Sequence, residues 1–375
     1  MPNPCRPTSQ KPPDSLLSDD WIRTIERLGG AEALAMGARN TKAFAWGRKS
    51  PSPIVLLRLV LAYCLGKCSL RSTTTWATAI GLADISNVAL LYRLRRCGDW
   101  LALLVGHLLA MRTPKASRGR LIRIIDASSV PKAGRAAKRE NGLWRIHSAF
   151  DLPSERFGQF VLTDEHGGEQ LDRIAVVRGE IRLADRVHLQ PDRIANVLAD
   201  GGDVVVRAAW KNARWQQRSG EPLDLLGMLG KCKTDRIDVP IWIGRRSGPT
   251  LALRLIAARK SEADAVESRR KARRQAQKDG YQLSQNTLAA ADWFILVTSL
   301  KAAEFSTDDV LALYRLRWRV ELGFKRLKSL IGLHGPPGTD ARSARPYILA
   351  HLVMLLLLEP LVDALEDSPR GAYAA

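Results

Sequence analysis

The spacing of apolar residues changes near residue 118, and this change limits the possible folds more than any other feature. From Trp21 to about Arg112, apolar residues recur at helical spacing, and residues 54–65 and 100–111 are apolar enough for buried helices. Beyond residue 118, short β-branched runs alternate with helical segments. The sequence therefore predicts an α-helical N-terminal region followed by an α/β region.

The α/β region has two parts with different patterns. In the first part, strands are predicted at residues 121–125, 143–152, 157–163, 181–184 and 203–208, with helices at 170–177 and 191–199. This order favours a mixed sheet covered by helices. The second part, residues 209–300, does not continue the alternation, and its predicted strands lie at 237–243, 251–257 and 293–298. We expect this second part to be mainly β.

The chain is strongly basic. It contains 58 Lys and Arg against 38 Asp and Glu, a formal net charge of +20 at pH 7. Residues 1–119 hold 17 of these cations against 7 acids, so half of the excess lies in about a third of the chain. Such a charge favours nucleic acid or an anionic membrane as partner. The most apolar run, residues 348–358, contains His351 and is expected to be too short to cross a bilayer core of about 30 Å, so nucleic acid is favoured.

Two basic segments each allow two interpretations. Residues 71–96 are predicted to form two helices around a turn at residues 81–84, which is either a DNA-reading helix-turn-helix or an ordinary helical hairpin with a solvated basic end. Residues 262–280 carry six Lys and Arg and form either a solvated face or a surface that contacts phosphates. Both alternatives stay open at the level of sequence.

Residues 307–331 have a strong helical pattern and are predicted to form one long helix. At about 100° per residue, one face is apolar, and it carries Leu313, Leu316, Val320, Phe324, Leu327 and Ile331. A polar stripe lies beside it, made of Tyr314, Arg317, Glu321 and Lys328. An ion pair between Arg317 and Glu321 would explain only two members. A divalent metal near Glu321, with a phosphate against the other three, would use all four.

Two aspartates could complete a metal site with Glu321. Asp126 and Asp185 each follow an apolar strand, and if these strands are neighbours, both carboxylates lie at one edge of the sheet. Two-metal phosphoryl transfer needs carboxylates from separate elements, and Mg²⁺ prefers oxygen ligands. Taken singly, each aspartate is also explained as a turn residue or a helix cap.

These residues resemble a known family. The spacing Tyr314-x2-Arg317-x3-Glu321-x6-Lys328 is similar to the Tyr-Arg-Glu-Lys signature of bacterial DDE transposases of the insertion-sequence-four group. Asp126, in Ile-Ile-Asp-Ala-Ser-Ser, resembles the first catalytic aspartate of that family, and Asp185, followed by Arg186, resembles the second. The resemblance covers roughly residues 120–335.

The resemblance implies a fold and a set of site residues. The fold is α/β, a ribonuclease-H-like catalytic domain interrupted by a mainly β insertion. Asp126, Asp185 and Glu321 would be catalytic and would bind two Mg²⁺ ions, for which Mn²⁺ would substitute. Tyr314, Arg317, Lys328, Arg207 and Trp293 would contact DNA, with Trp293 stacking on a flipped base. Trp293 is equally explained as a core aromatic of the insertion.

The implied domains follow the change of pattern. They are a flexible tail at residues 1–20, a helical DNA-binding domain at 21–118, the first part of the catalytic domain at 119–208, the insertion at 209–300, and the glutamate helix with the C-terminal helix of the catalytic domain at 301–375.

The implied function is cut-and-paste transposition. The enzyme would cleave the terminal inverted repeats of an insertion sequence and transfer the strands to target DNA. Its partners would be double-stranded DNA and a second protomer of a homodimer, without a membrane, at the bacterial nucleoid in the cytoplasm. Five scattered cysteines favour the same reducing compartment. The alternative is a non-catalytic, sequence-specific DNA-binding protein derived from such an enzyme.

Overall fold

The computed structural model describes residues 16–44, 52–112, 119–133, 142–338 and 340–366. These residues form two compact units. The first unit contains the described residues up to Arg112 together with those from Leu327 onward, and the second contains those between Thr113 and Arg326.

The described part of the first unit is helical, as predicted. Its helices are α1 Leu16–Arg27, α2 Gly30–Asn40, α3 Pro53–Leu65, α4 Leu70–Ala79, α5 Asn87–Leu94, α6 Gly98–Ala110 and, after the second unit, α13 Ala341–Glu366. The predicted tail lies outside the described residues as far as residue 15, and α1 begins inside its last five positions. The helices α4 and α5 confirm the pair predicted within residues 71–96, and Gly81 between them adopts a left-handed φ of 69°.

The last helix, α13, is much longer than its apolar run. It has 26 residues and packs against α3, α5 and α6. Ion pairs of Arg345 with Asp99 at 2.6 Å and Arg112 with Glu359 at 2.7 Å join it to the earlier helices. The expectation that this segment is too short for a bilayer was wrong, because the flanking residues continue the helix. Residues 341–360 pass the length and hydropathy test for a membrane span, but 67% of the tested window is buried, as in the core helix of a soluble protein.

The described residues of the second unit contain one nine-stranded mixed sheet. Its strands are β1 Ile122–Pro131, β2 Leu143–Asp151, β3 Arg156–Thr163, β4 Ile181–Ala184, β5 Asp203–Arg207, β6 Arg214–Gln216, β7 Arg236–Gly244, β8 Leu251–Arg259 and β9 Trp293–Thr298. Their order is β3-β2-β1-β4-β5-β9-β8-β7-β6. The strands β1, β4 and β5 are parallel to one another, and the remaining pairings are antiparallel.

Helices α7 to α12 complete the described part of the unit. They are α7 Pro191–Ala199, α8 Leu225–Lys231, α9 Glu262–Asp279, α10 Gln285–Ala291, α11 Thr307–Arg315 and α12 Arg319–Lys325. One core cluster combines Ile125, Ala184 and Val206 on one sheet face with Ile194 and Val197 of α7. The opposite face carries Phe157 and Phe294, whose rings contact Phe324 and Tyr314 respectively.

Most predicted elements of this unit are present, but two differ. The helix predicted at residues 170–177 is irregular chain. Its carbonyl oxygens at Leu171 and Ala175 accept hydrogen bonds from the buried Arg182 side chain, at 2.5 and 2.8 Å, instead of from the N–H groups of a helix. Strand β1 also continues to Pro131, beyond the predicted end at residue 125, because it pairs with β2 along its length.

The strands predicted within residues 209–300 extend the same sheet. The strand β9 pairs antiparallel with both β5 and β8, so β6 to β9 continue the sheet outward from β5. The segment also contains α8, α9 and α10, which makes it richer in helix than predicted. The domain boundaries themselves remain predictions.

Candidate active site

Asp126 and Asp185 lie next to each other because β1 and β4 are parallel neighbours. The last pair in the ladder between these strands is Ile125 with Ala184, and each aspartate is the next residue of its strand. Asp185 directly follows the end of β4, as predicted, whereas Asp126 lies in the middle of β1. Since side chains alternate along a strand, Asp126 points to the face opposite Ile125 and its core cluster.

Each of these carboxylates has one oxygen fixed by a local hydrogen bond. Asp126 Oδ1 accepts from its neighbouring Ala127 N–H at 2.8 Å. Asp185 Oδ1 accepts from the Val187 N–H at 2.9 Å and lies 3.2 Å from Nδ1 of His188. Asp185 Oδ2 makes no hydrogen bond with the described residues. Asp185 thus keeps one oxygen that can face a ligand, whereas the second Asp126 oxygen lies 3.4 Å from Arg317.

The two aspartates differ in their electrostatic surroundings. The Asp126 side chain is 20% exposed. Burial raises the pKa of the Asp126 carboxyl and the charge of Asp185 acts in the same direction, against the Ala127 N–H and the Arg317 guanidinium. For Asp185 burial also acts to raise the pKa, but the hydrogen bonds from His188 and Val187 and the charge of Arg317 bring the pKa below its ordinary value. Two partly buried carboxylates at neighbouring positions repel each other, which a cation would relieve.

The predicted long helix is present but is not one regular α-helix. After α11, residues Leu316–Trp318 form a 3₁₀ turn, and after α12, residues Arg326–Leu330 form a π turn. A 3₁₀ turn tightens the winding and a π turn loosens it, so the side-chain directions differ from those of a uniform wheel. Tyr314 accordingly lies inside the core rather than on a polar stripe, whereas Glu321 is exposed.

A glycine lets α12 approach the sheet closely. A Cβ atom at Gly323 would lie 2.7 Å from the Phe157 ring and 3.2 Å from the Phe150 ring. Next to it, the Phe324 ring packs against Phe157 with centroids 5.3 Å apart. An ion pair between Arg319 and Glu155 joins the same helix to the chain just before β3. These contacts place α12 over the sheet face that carries Asp126.

Arg317 links the strand carboxylates to the helix. Its guanidinium lies 3.4 Å from Asp126 Oδ2 and 3.1 Å from Glu321 Oε1. One guanidinium therefore contacts both Asp126 and Glu321. The Glu321 side chain is nevertheless 65% exposed. Within the described residues, no three His, Cys, Asp or Glu side chains are already arranged as ligands of one metal ion.

Tyr314 and Arg207 form an aromatic and cationic group beside these carboxylates. The Tyr314 ring packs on Phe294 at 5.5 Å, and the Arg207 guanidinium lies over the same Phe294 ring at 5.4 Å. The Tyr314 hydroxyl is buried and makes no hydrogen bond of normal geometry with any described residue. Burial raises the pKa of Tyr314 to about 12, although Arg317 and Arg207 act against this.

Trp293 and Lys328 lie in surroundings different from those of Tyr314, Arg317 and Arg207. Trp293 begins β9 and is 7% exposed in the core cluster, with the Arg259 guanidinium over its ring at 4.5 Å. Lys328 lies in the π turn, is assigned to the first unit and is half-buried. Their roles in binding DNA remain predictions.

A buried ionic network supports the strands from the other side. The Arg123 guanidinium pairs with Asp151 at 2.7 Å and with Glu180 at 3.2 Å, and Glu180 also pairs with Arg182 at 2.6 Å. All four side chains are at most 7% exposed. Arg123 and Arg182 are each three residues before one of the aspartates, so the network ties β2, β1 and β4 together on the opposite sheet face, about 10 Å along the strands.

Comparison with known proteins identifies the family. The family described as "Transposase DDE domain" matches residues 117–355. The chain belongs to the DDE transposase family. The chain is also 33% identical over 363 residues to the putative transposase InsL for insertion sequence element IS186A of Escherichia coli strain K12, covering 94% of this chain and 97% of that protein. The transposase for insertion sequence element IS421 of Escherichia coli is 33% identical over 364 residues with the same coverage.

The family makes this chain a transposase, an enzyme that cleaves DNA and transfers strands, rather than a non-catalytic DNA-binding protein. Within the transposase, Asp126 and Asp185 lie on neighbouring strands, and Arg317 contacts both Asp126 and Glu321. The catalytic roles of these residues remain predictions. Sequence analysis did not single out His188 or Gly323. His188 stands three residues after Asp185, which is a usable signal for a supporting residue, whereas Gly323 is recognised only from its distance to the sheet.

Proposed function

We propose that this transposase performs cut-and-paste transposition at the terminal inverted repeats of an insertion sequence. Asp126, Asp185 and Glu321 hold two Mg²⁺ ions, for which Mn²⁺ substitutes. When bound, these ions supply an activated nucleophile and neutralise charge on the phosphate under attack. The observation that carries the proposal is the register of β1 and β4, which makes the two aspartates neighbours, with Arg317 between Asp126 and Glu321.

The chemistry of the donor set supports Mg²⁺. The three side chains offer only carboxylate oxygens, which Mg²⁺ prefers over nitrogen or sulfur. Repulsion from Asp185 adds to burial in raising the pKa of Asp126, and a divalent cation between them would remove that repulsion. Glu321 shares the Arg317 guanidinium with Asp126, which supports its place as the third carboxylate of the set.

The other site residues bind and orient DNA. Arg317, Tyr314 and Lys328 hold a phosphate near the cleaved bond, and Arg207 contacts the backbone next to them. The guanidinium of Arg317 can exchange its carboxylate partners for a phosphate, which offers it the same bidentate geometry. The buried Tyr314 hydroxyl makes no hydrogen bond of normal geometry with the described residues, although the Arg317 side chain interacts with it, so the hydroxyl can donate to a phosphate. Trp293 stacks on a flipped base once Arg259 leaves its ring.

The topology supports a ribonuclease-H-like catalytic domain of the insertion-sequence-four group. The order β3-β2-β1-β4-β5, with an antiparallel hairpin pair followed by parallel β4 and β5, supports this assignment. Residues 209–300 then form the insertion, although their strands extend the sheet. The helices α4 and α5, with Arg93, Arg95 and Arg96 at the end of the pair, serve as the DNA-binding helices of an N-terminal domain.

We also propose a homodimer that acts on double-stranded DNA at the nucleoid in the cytoplasm. Both ends of an element must be cut and joined to one target, and each protomer contributes one set of carboxylates. Two protomers therefore provide one set per end.

The test replaces the carboxylate of the helix. We expect Glu321→Gln to reduce Mg²⁺-dependent cleavage of the element's own end DNA by about a thousandfold or more, because an amide cannot replace a charged metal ligand. Affinity for the same DNA in EDTA should change little. Glu304→Gln, at an exposed position of the same unit, is the matched control and should cleave normally. Wild-type cleavage by the Glu321 variant would refute the assignment.

A further inference from the structure

The helix α9 has one face attached to the protein and one face turned outward. Ala265 and Ala276 are buried, and Arg269 pairs with Asp292 at 2.5 Å. Ser268 accepts a hydrogen bond from Lys260 at 2.9 Å. These contacts hold the first face against the segment that leads into β9. The position of the outward face is therefore fixed.

The outward face is densely cationic. Residues 270–278 contain five cations and no acid, namely Arg270, Lys271, Arg273, Arg274 and Lys278. On an α-helix these five side chains fall within an arc of about 160°. Arg270 and Lys271 share Glu267, at 2.6 and 3.8 Å. Arg273, Arg274 and Lys278 are exposed and form no ion pair or hydrogen bond with the described residues.

Strand β8, which leads into α9, pairs with β9, and Phe294 of β9 contacts both Arg207 and Tyr314. Arg259 ends β8 and Lys260 follows it, two residues before α9 begins. Burial and the charge of Arg207 lower the pKa of Lys260, against the charges of Asp292 and Asp264. Arg207 in turn lies over Phe294, beside Tyr314. The chain that enters α9 therefore lies next to the strand that carries the Phe294 contacts.

We propose that the outward face of α9, together with Arg207, binds the phosphate backbone of duplex DNA that leads away from the cleavage site. This inference rests on the proposed function, which places the cleaved bond at the carboxylates. The five cations of α9 span about 12 Å along the helix, enough to follow three or four phosphates of one strand. Lys and Arg without base-reading partners give affinity that depends on salt and not on sequence.

The test measures binding as a function of salt with a 40-bp duplex of mixed sequence and no element end. The triple variant Arg273→Gln/Arg274→Gln/Lys278→Gln keeps helix-forming residues while removing three charges. The control, Arg214→Gln/Arg218→Gln/Lys233→Gln, removes three exposed cations near β6 and β7. The slope of log K against log salt should become less steep by about 2 to 3 for the α9 variant. The control variant should keep the wild-type slope.

The outcomes separate this inference from the proposed function. Equal slopes for the α9 variant and wild type, or equal losses for the α9 and control variants, would overturn the inference, because the face would then be merely solvated. Circular dichroism and the melting temperature check that each variant folds. The proposed function is tested separately by cleavage of element ends with the Glu321 variant. If the wild-type protein does not cleave element ends, the proposed function is refuted. A less steep salt dependence of DNA binding in the α9 variant would still support DNA binding by the outward face of α9.

Discussion

The strand side and the helix side of the candidate active site are built in different ways. On the strand side, Asp126 and Asp185 are fixed by a parallel ladder and supported by four buried charged side chains. On the helix side, Glu321 is exposed and belongs to a helix interrupted by 3₁₀ and π turns. The comparison indicates that the two aspartates form a rigid base. The glutamate and Arg317 can be repositioned when DNA and metal bind.

The largest expected effect comes from breaking the network below the strands. Glu180→Gln leaves Arg123 and Arg182 buried with one fewer anion, and the loss of one partner of a buried ion pair costs about 3–5 kcal/mol. Urea unfolding should show this decrease in the free energy of unfolding. The matched variant on the helix side, Glu155→Gln, breaks an exposed pair with Arg319 and should cost less than about 1 kcal/mol. Similar costs for the two variants would contradict the contrast between the sides.

A second prediction concerns His188, which is buried and holds Asp185 Oδ1. His188→Leu removes this contact, so that the carboxylate can rotate, and the Mn²⁺ affinity measured by titration calorimetry should fall about 10- to 100-fold. His188→Asn can still donate a hydrogen bond and should recover part of the affinity. If both variants bind Mn²⁺ as wild type does, His188 has only a packing role.

A third prediction concerns the position of α12 against the sheet. Gly323→Ala places a methyl group against Phe157 and should destabilise the protein by about 1–3 kcal/mol through overpacking. Cleavage should decrease further than the loss of folded protein explains, because α12 carries Glu321 away from Asp126. Gly230→Ala, in α8 where an added Cβ meets no atom within 4 Å, is the control and should not be destabilised. Normal cleavage per folded molecule in the Gly323 variant would mean that the close approach is not needed.

The smallest expected effect is the pH dependence of stability in EDTA. The raised pKa of Asp126 means that the folded state binds this proton more tightly than the unfolded state, so its contribution favours folding at low pH and is lost as pH rises through that pKa. The lowered pKa of Asp185 has the opposite sign, and its contribution is lost as pH falls through that pKa. At pH 7, Asp126→Asn should therefore unfold at a slightly higher urea concentration than wild type, and Asp185→Asn at a lower one. The same sign of change for both variants would contradict the difference between the two carboxyls.

Local elements were predictable where their patterns are strong. The bounds of β4, α7 and β9 agree with prediction, because short β-branched runs and proline at a helix start are local signals. No helix formed at residues 170–177, because the buried Arg182 side chain of β4 takes the carbonyl oxygens of Leu171 and Ala175. The 3₁₀ turn after α11 and the π turn after α12 were also not predicted. A helical wheel assumes the same rotation for every residue and therefore cannot show a change of winding.

The helical and α/β regions, the basic character and the candidate residues could all be predicted from the amino-acid sequence. These properties depend on side-chain chemistry and on hydrogen bonds between nearby residues. Three other features required the folded chain, namely the neighbouring register of β1 and β4, the close approach of α12 to the sheet at Gly323, and the contacts of Arg317 with Asp126 and Glu321. Such contacts join segments far apart in the chain, and they form because all of these segments must bury their apolar faces at once.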